Sequence, residues 1–200
     1  ERLQRRVDSG RWIRAYPCVY RVGGAPEDWR QELKAFTLWL RDGVLSHHTA
    51  AALHGFSQFA PGRLEATVTH GVRPPAGVVV HRVSAIAPRD LASVDGLPVT
   101  SLSRTLIDLS STLEPALFRS CCDEALRRRW TTLDRLDATV ERNLCRRGLT
   151  RVRSLLHTLR GGDGPTESEL EHRVRELLRD AGFPEPDRQR AIRTRDRLRR

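Results

Sequence analysis

The sequence predicts an α+β protein in three segments. A basic helix with a short hairpin covers 1–25, a mixed middle with a small sheet and several helices covers 26–160, and a helix–strand segment covers 161–200. Three observations carry this. Apolar residues recur at helical spacing in some windows and give way to β-branched runs in others, with Gly, Pro and Asp between them. Charge is uneven: residues 1–25 hold six Arg against Glu1 and Asp8, net +4, residues 26–113 are neutral, and 114–200 hold twenty-one Arg against fifteen acids, net +6. Gly161-Gly162-Asp163-Gly164-Pro165 is a flexible break and marks a candidate domain boundary.

The chain begins on the end of a helix. At 100° per residue Leu3 and Val7 fall together, while Arg2, Arg5 and Arg6 share the other side, and Asp8-Ser9-Gly10 stops the helix. Two strand-like runs follow, Arg11–Tyr16 and Cys18–Val22, broken by Pro17. A basic helix followed by a hairpin carrying Arg11, Arg14 and Arg21 is the second half of a winged helix-turn-helix, in which the helix enters the major groove and the wing touches the DNA backbone. An ordinary helix and hairpin with solvated cations accounts for the same pattern.

In the middle, Trp29, Leu33, Phe36 and Leu40 lie at i, i+4, i+7, i+11 and predict a helix over 27–42. Ser46 caps a second helix, His47–Gly55. Strands are predicted at Leu64–His70 and Gly77–Val83, across a Gly-Val-Arg-Pro-Pro turn, and at Leu97–Thr100. Helices follow at Ser101–Leu113, 114–129, 133–144 and 149–160. Past the break, Thr166 and Glu169 make a capping box for a helix whose stripe is Leu170, Val174, Leu177, Leu178 and Ala181, with Glu167 and Glu171 on or beside that stripe. Acids there are costly unless paired or coordinating, although the helix N-terminal dipole also favours them.

Composition bounds the function classes. Two hundred residues are enough to bury a core, and no run of 18 apolar residues exists to span a membrane. No charged-then-apolar leader opens the chain, so a cytoplasmic protein with reduced, buried cysteines (Cys18, Cys121, Cys122, Cys145) is expected. With no Met in the chain, Glu1 is expected to follow residues of a longer protein. The net charge of +10 points to polyanionic partners. Lys34 is the sole lysine, and arginine suits bidentate contacts with phosphates and base edges, although an Arg-biased, GC-rich genome produces the same usage.

Nothing in the middle demands catalysis. His47 and His54 share a helix face at i, i+7 beside His48, but no acidic third ligand lies near them in sequence, so no metal ligand is assigned. Ser101 and Ser103 read as caps, since no G-x-S-x-G elbow surrounds them. Asp108 stands four residues after Arg104 and reads as half of a surface ion pair.

The run RRVDSGRWIRAYPCVYRVGGAP resembles the small winged-helix domain of the type IV (abortive-infection, AbiEi) antitoxin family, with Cys18 where the family's P-G-V-Y phrase has glycine. SHHTAAALHG, VHRV and GLPVTSLSRTLIDL resemble phrases of that family's C-terminal domain, which extends the likeness over about residues 1–160. The resemblance implies a bacterial, DNA-binding transcriptional regulator of a toxin–antitoxin system. Its expected partners are double-stranded DNA, bound by Arg2, Arg5, Arg6, Arg11 and Arg14, and a toxin or other protein. Two further winged-helix helices would stand before Glu1.

TESELEHRVRELLRDAGFPEPDRQ resembles the opening of very-short-patch-repair-like endonucleases of the PD-(D/E)XK fold. There a helix glutamate assists a metal centre built by an Asp and a Glu-x-Lys on the following strands. Matching E-x-x-V-R-x-L-L places that glutamate at Glu171, with Glu167 as second choice. Gln189–Thr194 would be the first strand and Arg195–Leu198 its turn, with the Asp expected past Arg200 and Asp196 not accepted as its substitute. The resemblance thus implies a truncated nuclease-like domain over 161–200, inactive and without a cofactor in this fragment. Mg²⁺ would be the cofactor of a parent with the centre complete. A metal-dependent endonuclease fragment is therefore the alternative to the antitoxin reading, and a basic protein–protein adaptor is a third.

Overall fold

The computed structural model describes residues 2–144 and 146–161, Leu178, and the backbones of Ile192–Arg193 and Leu198–Arg199. It divides into two compact units, Glu1–Leu156 and His157–Arg200. The first is α+β, as predicted.

Its first helix, α1 (Arg2–Asp8), ends as Gly10 takes a left-handed φ of 69° and donates to the Val7 carbonyl. Strands β1 (Trp12–Tyr16) and β2 (Val19–Val22) then form an antiparallel hairpin, with Trp12 opposite Val22 and a register shift between Arg14 and Tyr16. Tyr16 anchors the hairpin to α2 (Trp29–Leu40) by packing 5.5 Å from Trp39 and 5.9 Å from Phe36, ring centre to ring centre. The turn after Pro17 places Cys18 at φ 61°, a left-handed conformation that favours glycine. Cys18 is exposed rather than buried as expected, because the tight turn leaves nothing to cover it. Replacing Cys18 by Gly is expected to stabilise the fold by about 0.5 kcal/mol, since relief of about 1–2 kcal/mol of left-handed strain exceeds the added freedom of the unfolded chain. A urea midpoint unchanged or lowered in Cys18→Gly would show the turn to be unstrained.

Helix α2 starts where the Asp28 carboxylate accepts from the Gln31 amide at 2.7 Å, and it buries Leu33, Phe36 and Leu40. The sheet beneath it runs β5-β4-β3-β7-β6, from β3 (Val44–Leu45), β4 (Leu64–Val68), β5 (Val78–Arg82), β6 (Leu91–Val94) and β7 (Leu97–Thr100). Strands β4 and β5 pair in parallel, Leu64 beside Val78, so the Pro-Pro segment between them is a return crossing and not a hairpin turn. Helix α3 (His47–His54) leaves β3 on the same sheet, capped by Gly55 at φ 84°. Ser46 is its N-cap residue by position, but its hydroxyl makes no capping bond; it meets His47 Nδ1 at 2.9 Å and accepts from Thr67 Oγ1 at 2.8 Å.

A helical layer follows: α4 (Leu102–Leu109), α5 (Pro115–Arg127), α6 (Leu133–Arg142) and α7 (Leu149–Leu159). Phe56, Leu106, Leu109, Phe118, Leu136 and Val140 form its core, each within 2% of complete burial. Side chains of this kind contribute about 1.5–3 kcal/mol each on burial. Cys121 and Cys122 belong to the same core as free thiols; burial pushes Cys121 up to about 11 and Cys122 further, which makes both inert at neutral pH. Ser101 caps α4 by accepting from the Arg104 amide, whereas the Ser103 hydroxyl bonds Thr131 at 2.7 Å and caps nothing.

In the second unit, Ile192–Arg193 (β8) pairs antiparallel with Leu198–Arg199 (β9), so Leu198 returns on a strand where a turn was expected. Cys145, the Thr166–Glu169 capping box, and Glu167 and Glu171 lie outside the described residues.

Candidate functional site

The five arginines expected to contact DNA are all exposed: Arg2, Arg5 and Arg6 on α1, Arg11 at the start of the hairpin, and Arg14 on β1. None of them is in an ion pair among the described residues, whereas Arg21, on β2, pairs with Glu27. The Arg6 guanidinium lies 4.8 Å from the centre of the Trp12 ring, a contact between α1 and the hairpin.

A second constellation surrounds Glu65, the second residue of β4 and 1% exposed. Its Oε1 accepts from His81 Nε2 at 2.7 Å; its Oε2 accepts from His48 Nδ1 at 2.9 Å and from the His48 amide at 3.2 Å. Arg63 Nε is 3.3 Å from Oε2, and the Thr49 hydroxyl accepts from the Glu65 amide at 2.8 Å. Burial pushes the Glu65 carboxyl up, but the hydrogen bonds from His48 and His81, with His47 and Arg63 nearby, outweigh it and hold the group well below the usual carboxylate range. The His47 and His81 rings stack with centres 3.6 Å apart. Burial, with His81 alongside, pulls His47 down to about 3, so its imidazole is neutral at pH 7. His47, Glu65 and His81 each offer a ligand atom, all within 4.8 Å of one another.

His54 does not join them. Its Nε2 donates to the Thr100 carbonyl at 2.8 Å, so the helix-face pairing of His47 with His54 is replaced by a cross-element pairing of His47 with His81. The acidic partner missing from the sequence neighbourhood is Glu65, seventeen residues beyond His48 and brought beside it by the β3–β4 pairing.

The Arg104–Asp108 pair is buried, not superficial. Seven of the eight residues of α4, Ser103 to Leu109, are buried, which leaves the helix no solvent face. Arg104 Nε donates to Asp108 Oδ1 at 2.9 Å, and its Nη1 reaches Asp90 Oδ2 at 3.3 Å and Asn143 Oδ1 at 3.1 Å. Arg142 donates to Asp90 Oδ1 at 3.0 Å, and Arg146 to Asp108 Oδ1 at 3.3 Å. Arg104 Nη2 and Asp108 Oδ2 have no hydrogen-bond partner among the described residues. A cavity of about 950 Å³ opens onto both polar clusters and is lined by His47, His81, Asp90, Asp108, Arg142 and Arg146 among others.

The sheet from β3 onward and the helices α3 to α7, a stretch that includes both clusters, coincide with a known family. A family model described as the AbiEi antitoxin C-terminal domain matches residues 43–158. The chain belongs to this antitoxin family. An antitoxin role in a toxin–antitoxin system follows at that level, and the Glu65 and Arg104 clusters lie within the antitoxin domain itself. Two uncharacterized proteins from two strains of Mycobacterium tuberculosis, Rv2248 and MT2308, are each 29% identical to this chain over 194 residues, which cover 94% of it and 68% of them. No helix among the described residues is long and apolar enough to cross a membrane.

Proposed function

We propose that this antitoxin-family chain is a transcriptional regulator that binds double-stranded DNA through α1 and the β1–β2 wing. One observation carries the reading: Arg2, Arg5, Arg6, Arg11 and Arg14 are exposed and, among the described residues, without carboxylate partners, on a helix followed by a hairpin. Cations that serve only solubility are commonly laced with acids on the same surface, and the next arginine along, Arg21, is so paired. Unpaired guanidiniums on a helix and its wing match the phosphate and groove contacts of winged-helix proteins.

Fluorescence anisotropy on duplex DNA from upstream of the chain's own gene tests it. Binding should weaken with salt by about 0.9 log units per log salt for each phosphate neutralised, and Arg5→Ala with Arg6→Ala should lower that slope by about two contacts. Unchanged affinity and slope in the double variant would overturn the reading.

A further inference from the structure

The cluster around Glu65 is built from three elements: His47 at the start of α3, Glu65 on β4 and His81 on β5. We propose that His47, Glu65 and His81 bind a borderline divalent cation of the Zn²⁺ class, in a site reached through the neighbouring cavity. The inference is independent of DNA binding.

Four features support it. Two imidazoles and one carboxylate are the donor set of three-ligand zinc sites; Mg²⁺ and Ca²⁺ prefer all-oxygen cages. The three donors already lie within 4.8 Å of one another, where bonds of about 2.0–2.2 Å in tetrahedral geometry need them roughly 3.3 Å apart. The supporting contacts are also in place. Thr67 donates to Ser46, whose hydroxyl meets Nδ1 of His47 and leaves Nε2 for a ligand. His48 holds the Glu65 oxygen that His81 does not. Finally, His47 and His81 line the 950 Å³ cavity, which provides an entry path and room for a fourth, exogenous ligand.

Closure requires one movement. The His47 and His81 rings stack with centres 3.6 Å apart, and bringing donors that lie within 4.8 Å of one another to bonding separation requires one ring to turn. His81 has that freedom, because its side chain is 30% exposed on the edge strand β5. The cation takes the place of the proton His81 now donates to Glu65, and that proton moves to Nδ1 of the same ring. His47 sits at φ 51°, in the left-handed region, and its ring is held over the cluster by the Ser46 hydroxyl at Nδ1 and the stacked His81 ring.

The test uses the tag-free 200-residue chain, stripped by chelator dialysis, with Co²⁺ as a spectroscopic probe and Zn²⁺ in calorimetry. One equivalent should bind, Co²⁺ should show the intense visible absorption of low coordination, and Zn²⁺ should raise the thermal midpoint. His81→Ala and Glu65→Gln should each weaken binding by more than the roughly 10–100-fold that loss of a supporting residue costs. The exposed-histidine controls His70→Ala and His157→Ala should leave binding unchanged. Should Glu65→Gln fail to fold, His81→Ala, a change on the exposed edge, decides. No stoichiometric binding, binding that survives His81→Ala, or binding removed by the control substitutions would overturn the site.

Discussion

Replacing Arg104 by alanine is expected to lower the unfolding free energy by about 3–5 kcal/mol, the cost of breaking a buried ion pair from one side. Arg104 is fully buried, and the substitution strands Asp90 and Asp108, themselves 0% and 3% exposed. Arg142 and Asn143 still serve Asp90, and Arg146 still serves Asp108, so the expected value lies toward the lower end of that range. Arg104→Lys keeps a charge but not the fork that reaches Asp90, Asp108 and Asn143 together, and it should fall between wild type and alanine. Exchanging Arg104 and Asp108 together for Met and Leu removes one stranded charge as well as its partner, and should cost less than Arg104→Ala alone. Urea midpoints at neutral pH measure all three. A loss under about 1 kcal/mol for Arg104→Ala would show that water, not protein, solvates the two carboxylates.

The second large effect is expected at Gly148, which opens α7. Its φ is 84°, and a Cβ there would lie 2.3 Å from Ser110 Oγ and 2.8 Å from the Ser110 carbonyl carbon. The chain approaches this closely because Arg151, in the first turn of α7, donates to the Ser110 carbonyl at 2.8 Å and fastens α7 over the end of α4. Gly148→Ala combines left-handed strain with overpacking against backbone that cannot yield, and should cost about 2–4 kcal/mol. Gly77 separates the two contributions. Its φ is 82° but a Cβ there meets nothing within 4 Å, so Gly77→Ala should lose only about 1 kcal/mol. Equal losses at the two positions would show that the approach to Ser110 relaxes freely.

Local signals carried most of the secondary structure. Trp29, Leu33, Phe36 and Leu40 announced α2 by spacing alone, and the Leu97–Thr100 strand stands where it was expected. Two strands of the five-stranded sheet escaped. Val44–Leu45 is only two residues long, too short for an alternating pattern. Leu91–Val94 was legible, because Asp95-Gly96 between it and β7 is a two-residue hairpin turn with both φ values positive, a turn for which Asp-Gly is a preferred pair.

The sequence by itself determined the α+β class, the helix faces, the basic helix and the hairpin after it, and, through SHHTAAALHG and GLPVTSLSRTLIDL, the family. Those are properties of neighbours along the chain, where spacing and propensity act. Only the tertiary structure decided what the polar residues of the middle do. Arg104 and Asp108 stand four apart whether their helix is wrapped or bare, and it is the packing of α3 and α6 against α4 that takes the pair out of water. His47, Glu65 and His81 are spread over thirty-five residues, and no spacing rule joins them. The antiparallel pairing of β3 with β4 and the parallel pairing of β4 with β5 bring a carboxylate and two imidazoles to one place, because sheet register sets which side chains become neighbours.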